Sequence, residues 1–185
     1  MDLSPGIQRF QAHAYPRLSE RFEGLAGGQS PHTLFITCSD SRIDPSMITQ
    51  TLPGELFVVR NAGNLVPAPD VDYSTSSAVE YAVDALGVKQ IVVCGHSGCG
   101  AMGAALNPTS VEALPHVAEW LRVAQVEVES EELAEQVDAN ARHQLDRLRA
   151  HPSVARALAA GALRLEAWTY EIPTGAVRVL REVTS

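Results

Sequence analysis

The stretch Ile91–Gly100, IVVCGHSGCG, decides how this chain folds and where it works. Ile91, Val92 and Val93 form a β-branched run that, with Cys94, suits a strand buried on both faces. Gly95, Gly98 and Gly100 then let the backbone turn sharply, so that His96 and Cys99 project into the crevice at the carboxyl end of a strand, where open α/β sheets bind ligands. A neutral imidazole and a potential thiolate three positions apart make half of a tetrahedral zinc site. The other half reads from Thr33–Arg42, TLFITCSDSR, in which a second apolar strand ends in Cys38, followed by Asp40 and Arg42. Cys38, His96 and Cys99 supply two thiolates and one imidazole, and the free fourth position suits a catalytic zinc that binds water.

Working outward, Ala78, Val79, Ala82, Val83 and Leu86 mark one face of a helix that leads into Ile91, with Ser74 or Ser76 as its N-cap and Gly87 as its stop. Leu34–Thr37 reads as the first core strand and Leu56–Val59 as the second, and Asp44-Pro45 opens a short helix through Ile48. Arg60–Asn64 is polar and turn-like, a further strand end facing the same crevice. After Gly100 small residues permit a helix beside the metal, stopped at Asn107-Pro108. Residues 111–150 read as mostly helical, with Leu133, Val137, Ala141, Leu145 and Leu148 as the buried stripe of the later helix. A last short helix follows Pro152 and ends at Gly161. The period then changes to two: Leu163, Leu165 and Ala167, a turn at Pro173-Thr174-Gly175, then Val177 and Val179, a terminal hairpin on a sheet edge. Residues 1–31 form an N-terminal helical arm, interrupted at Pro16, that covers the domain or reaches a second subunit.

At 185 residues the chain is expected to be a single domain, residues 1–185. A hydrophobic content of 45% without a long apolar run or a leader-like start predicts a soluble cytoplasmic protein with no membrane partner. The net charge of -8 argues against a nucleic-acid surface. Three cysteines, two of them in metal-like settings, argue against a disulfide framework. Gly98–Gly103 satisfies the dinucleotide-binding pattern of glycines, but the acidic residue at the right distance, Glu119, lies in a helical stretch rather than at a strand end. Gly95–Cys99 lacks the last glycine of a nucleophile elbow. Cys94 reads as a packed thiol inside its strand, and His13, His32, His116, His143 and His151 read as surface or capping residues.

Asp40 and Arg42 sit beside a proposed ligand. Next to a divalent cation a carboxylate either coordinates the metal or pairs with arginine and accepts a proton from metal-bound water, and one oxygen cannot do both. Asp40 is therefore a catalytic group that doubles as a switch.

Cys38-Ser39-Asp40-Ser41-Arg42 and His96-Ser97-Gly98-Cys99 together resemble the β-class carbonic anhydrases. The likeness extends through Gly54–Asn64, Glu80-Tyr81-Ala82 and Thr169-Tyr170-Glu171, and so covers most of the chain from Gln29 onward. The resemblance implies an α/β fold: a mostly parallel four-stranded sheet with an antiparallel C-terminal edge strand, flanked by helices. It also implies one zinc per subunit and a homodimer or an assembly of dimers. Zinc is then held by Cys38, His96 and Cys99, with Asp40 joining them only in a closed state, and zinc-bound hydroxide attacks carbon dioxide to give bicarbonate. Asp40 orients that hydroxide and Arg42 keeps Asp40 ionised and off the metal. Gln29, Phe57, Ala62 and Tyr81 match the family's substrate pocket, some of them supplied by the neighbouring subunit. A regulated subset of the family locks bicarbonate with tryptophan, arginine and tyrosine. Arg60 and Tyr170 fit two of those places, but Phe35 stands in the third and Gln29 fits the open subset, which implies an open zinc here. Hydrolysis of carbonyl sulfide or carbon disulfide at the same zinc is the alternative activity, and a non-catalytic zinc protein is the alternative class.

Overall fold

Strand β1, Thr33–Cys38, is buried along its whole length, and the sheet grows from it in both directions. The computed structural model describes residues 2–184. On one side β1 pairs in parallel with β2, Leu56–Asn61, and on the other with β3, Gln90–His96. Parallel β4, Arg164–Glu171, and antiparallel β5, Ala176–Val183, follow, giving the order β2-β1-β3-β4-β5. The expected four parallel strands with an antiparallel C-terminal edge strand are the observed ones. The direction of winding reverses between β1 and β3, so the crevice at such a reversal opens between the carboxyl ends of these two strands. Cys38 ends β1 and His96 ends β3.

Three helices close one face of the sheet: α4 (Tyr73–Glu80), α7 (Leu133–Arg149) and α8 (Pro152–Ala159). Leu34, Ile36, Ile91, Val93, Leu165 and Ala167 point into this layer and meet Val79, Leu145, Leu148 and Val154. Phe35, Val92 and Cys94 point the other way, into a smaller cluster closed by Ile43 and by α3, Pro45–Thr49. A third cluster lies around Cys38 and Cys99 and draws on α5 (Gly100–Leu106), α6 (Pro115–Val123) and Val137 of α7. Cys94 is a packed thiol, as expected. Burial alone pushes it up to about 12.

Several local readings need correction. Asp72, not Ser74 or Ser76, caps α4, its carboxylate accepting from the N–H groups of Ser74 and Thr75 at 3.1 Å. A carboxylate with two oxygens satisfies two free donors where a hydroxyl satisfies one. The helix pattern through Leu86 is split, since Tyr81–Ala85 forms a π-helical turn. β2 continues through Arg60 and Asn61, where the polar composition suggested a turn. His151 is buried, with 2% exposure, and its Nε2 lies 3.1 Å from the Pro67 carbonyl. Leu133, at the start of the α7 stripe, is only half buried. Val177 and Val179 alternate as expected but face outward. The N-terminal arm breaks where Pro16 requires: α1, Ser4–Arg9, runs through a π-helical turn and a 3-10 turn at Tyr15–Arg17 before α2, Ser19–Leu25, begins. No helix among the described residues is long and apolar enough to cross a membrane.

Candidate metal centre

The two distant motifs meet as their chemistry requires. Cys38, His96 and Cys99 are all buried, and one ligand atom from each lies within 4.8 Å of the others. The two sulfurs are 4.0 Å apart. Tetrahedral geometry with zinc-to-sulfur bonds of about 2.3 Å calls for a separation of about 3.8 Å. His96 Nδ1 lies 3.0 Å from the Ser97 carbonyl, to which it donates, and this fixes the tautomer that leaves Nε2 with a free lone pair. Among the described residues only two buried side-chain polar atoms lack a partner, Asn64 Nδ2 and His96 Nε2. A buried imidazole nitrogen left open beside two thiols fits a borderline-soft divalent metal, and the donor set is one that zinc favours.

The surrounding groups hold this set in place. Ser97 pins the end of β3 to β4, since its N–H donates to the Tyr170 carbonyl at 3.0 Å and its Oγ accepts from Ile172 N at 3.0 Å. Gly98 has φ 66°, a left-handed conformation that brings Cys99 back toward the crevice. The N–H of Gly63 donates to Cys38 Sγ at 3.4 Å. Gly63 itself has φ 85°, and a Cβ there would come within 3.0 Å of the Ala101 methyl. Asn140 of α7 donates to the Gly63 carbonyl at 3.1 Å and accepts from Gln144, whose Oε1 accepts from Val66 N at 2.8 Å. The neighbouring Cys99 thiol and the Gly63 N–H lower the Cys38 thiol below its ordinary value, against the opposing effect of burial. Cys99 moves up, because of the neighbouring Cys38 thiol and because it is buried.

Asp40 stands beside the ligand set with one oxygen 3.8 Å from His96 Nε2. Arg42 holds it there with a two-pronged contact, Nε to Oδ1 at 2.9 Å and Nη2 to Oδ2 at 2.7 Å, and its backbone N–H adds a bond to Oδ1 at 2.9 Å. Arg42 Nη2 also reaches the Gly98 carbonyl at 3.2 Å, bridging the two motifs. The guanidinium keeps the Asp40 carboxyl well below the usual carboxylate range. Arg60, read in the sequence as part of a turn, lies in β2 and donates through Nε and Nη2 to the backbone carbonyls of Cys38, Asp40 and Ile43. Composition carried no signal for Ser97, Asn140, Gln144 or this use of Arg60, because each acts through backbone groups.

The four residues that the resemblance assigns to a substrate pocket do not come together within one chain. Ala62 adjoins the centre through Gly63, and its carbonyl accepts from Trp120 Nε1 at 2.8 Å. Phe57 pairs with Leu34 near the start of the sheet, four residues before Cys38. That is about 13 Å along the strand. Its ring packs against Tyr81, with centroids 6.1 Å apart, and Tyr81 and Gln29 line one surface hollow with Leu25 and Pro53. Strand direction explains the split: a parallel sheet sends its amino and carboxyl ends to opposite rims.

A second grouping of ligand-type side chains, Glu127, Glu129 and His143, is less suited to a metal. His143 Nε2 already accepts from the Arg147 guanidinium at 3.1 Å, and both glutamates are exposed.

A family model described as carbonic anhydrase matches residues 33–177. A carbonic anhydrase of Pseudomonas aeruginosa is 49% identical over 192 residues, covering 97% of this chain and 86% of that protein. Among solved structures, the β-carbonic anhydrase CcaA superposes with a TM-score of 0.90 at 39% identity, over 99% of this chain and 90% of that one. A tetrameric β-carbonic anhydrase of Sordaria macrospora does so with a TM-score of 0.79 at 30% identity, over 97% of this chain and 96% of that one. Since the family model spans most of the chain and these relatives match it over nearly its whole length, the chain belongs to the β-carbonic anhydrase family.

Proposed function

We propose that this chain, with zinc held by Cys38, His96 and Cys99, catalyses the reversible hydration of carbon dioxide to bicarbonate and a proton. The observation that carries the reading is the open, buried His96 Nε2 facing two thiols, with Asp40 close by and turned onto Arg42. Zinc at this position supplies Lewis acidity, which brings the pKa of water from about 15.7 toward about 7.

The chain's own groups do the rest. Asp40 is ionised, so its Oδ2 accepts a hydrogen bond from the attacking water and fixes the direction of the remaining lone pair. Arg42 prevents that carboxylate from becoming a ligand itself by occupying both of its oxygens. Water adds through oxygen to the carbon of carbon dioxide, one carbon–oxygen π bond opens, and one proton passes to solvent. Carbon dioxide is small and apolar, which suits a wall of Ala62, Phe57 and Tyr81, and the Gln29 amide is a donor for a bicarbonate oxygen. Because Gln29, Phe57 and Tyr81 lie at the far rim of their own chain, the reading assigns them to the site of a second copy and makes a homodimer the working unit. The tetrameric relative supports assembly of that kind.

The test combines metal analysis of protein never exposed to chelator with stopped-flow hydration of carbon dioxide and sulfide release from carbonyl sulfide and carbon disulfide. The expected result is one zinc per chain and rapid hydration. Sulfide release without appreciable hydration would replace the reading by the alternative hydrolase. Bound zinc with no turnover of any of the three, and no effect of Asp40→Ala, would make the centre structural.

A further inference from the structure

We propose that Arg60 is a positioning residue for the Asp40–Arg42 pair, acting through the backbone of the loop that carries it. The proposal rests on the hydratase reading of this centre. From the end of β2 the Arg60 side chain reaches the loop after β1, where Nε donates to the Cys38 carbonyl at 3.0 Å. Nη2 donates to the carbonyls of Asp40 at 2.7 Å and Ile43 at 3.0 Å. Three carbonyls of the segment Cys38–Ile43 therefore converge on one edge of one guanidinium. Carbonyl oxygens brought that close repel one another, and a planar cation with donors at fixed angles makes their convergence favourable.

Both ends of the segment are fixed independently of Arg60. Ser39 N–H donates to the Asn61 carbonyl at 2.9 Å, and the Ile43 side chain is buried with 1% exposure. The middle is not fixed in that way. Asp40 is held at its carbonyl by Arg60 and by the longer bond from Ile43 N–H at 3.3 Å. With that carbonyl fixed, the Asp40 side chain is delivered onto Arg42. Released, the same side chain has His96 Nε2 only 3.8 Å away and can turn toward the ligand set. Arg60 makes no hydrogen bond to the carboxylate or to any of the three ligand side chains, so its influence passes through the main chain of Asp40.

The test uses the zinc-loaded full chain. Arg60→Gln keeps a donor but cannot hold three carbonyls. Hydrogen exchange at the amides of Arg42 and Ile43 is expected to quicken at least tenfold, while β3 and α7 exchange as before. The kcat for carbon dioxide hydration is expected to fall about tenfold with KM within twofold and zinc content unchanged. Arg60→Lys, which retains the charge but not the fork, is expected to fall between the two, and it is read in the same way if Arg60→Gln does not fold. The deciding comparison is a double-mutant cycle: if Arg60 acts only through Asp40, Arg60→Gln adds no further loss in an Asp40→Asn background. Multiplying losses, unchanged loop exchange, or zinc loss in proportion to activity would overturn the proposal. If the unsubstituted protein hydrates no carbon dioxide, the hydratase reading fails instead, and the exchange rates alone decide whether Arg60 holds the loop.

Discussion

At the scale of single residues, the proposed zinc centre requires that one strong ligand, the Asp40 carboxylate, be kept away from the metal. Cys38, His96 and Cys99 converge without help from Asp40, whose oxygens are taken by Arg42. Two substitutions separate these roles. Asp40→Asn removes the acceptor and leaves the three ligands alone, so zinc content is expected to stay at one per chain while kcat falls about hundredfold, the range of a positioned acid–base group. Arg42→Ala removes the partner instead. The freed carboxylate is then expected to compete for the open position, so hydration is lost while zinc dissociates more slowly in a chelator exchange experiment. Faster zinc release from Arg42→Ala than from the unsubstituted protein would show that Arg42 holds the loop rather than restraining the carboxylate.

At the scale of elements, the strands and their ends were the most legible part of the chain, because β-branched runs closed by glycine, cysteine and histidine carry both a period and a chemistry. Cys38, His96, Cys99 and the Asp40–Arg42 pair were readable for the same reason. What escaped were contacts made across long separations by ordinary polar side chains. Asn140 and Gln144 look like any helix surface in sequence, yet they face inward and hold the Gly63–Val66 loop beside Cys38. Gly95 shows how closely α7 is docked on β3: a Cβ there would meet Val137 Cγ1 at 3.1 Å and the Ala141 methyl at 3.8 Å. Val137 is β-branched, buried and on a helix, so it has one strongly preferred rotamer and little room to give. Gly95→Ala gains about 0.4–1 kcal/mol from a less flexible unfolded chain. It loses about 1–3 kcal/mol to overpacking. The expected result in urea unfolding is therefore a net destabilisation.

The neighbouring junction, His151 before α8, has a pH signature. Burial disfavours the charged ring and lowers its pKa below 6.5, only partly opposed by the bond to the Pro67 carbonyl. Below that value the unfolded chain takes up the proton before the folded one, so this contribution to stability is present above pH 6.5 and is lost as pH falls through the folded pKa. His151→Gln keeps a donor without a titrating ring. Its unfolding free energy is expected to drop less than that of the unsubstituted protein between pH 7.5 and pH 5.5, and equal drops would remove His151 from the account.

At the scale of the whole molecule, the chain leaves apolar surface that its own fold does not use. Neither α1 nor α2 contains a buried residue, and Leu3, Ile7, Phe10 and Tyr15 are exposed by 75%, 57%, 46% and 41%. The arm's rings pack on each other, Tyr15 on Phe22 at 5.4 Å, rather than on the sheet. Arg21 ties the end of the arm to the turn before β2, through the Pro53 carbonyl at 2.7 Å and Glu55 at 3.0 Å, so the arm has a fixed root and a free apolar face. Contiguous apolar surface on a rooted element is stabilised by a partner that covers it. The proposed substrate pocket calls for a partner independently, since Gln29, Phe57 and Tyr81 are grouped far from the Cys38–His96–Cys99 centre of their own chain. One second copy answers both demands if its arm crosses to the first and its far-rim residues meet the first chain's metal. Light scattering is then expected to give at least twice the 19.8 kDa of one chain. Removing residues 1–17, before the root at Arg21, is expected to yield monomers that keep their zinc but hydrate carbon dioxide at least tenfold more slowly. Monomers with undiminished turnover would mean that each chain completes its own pocket, and that the far-rim residues serve some purpose other than substrate binding.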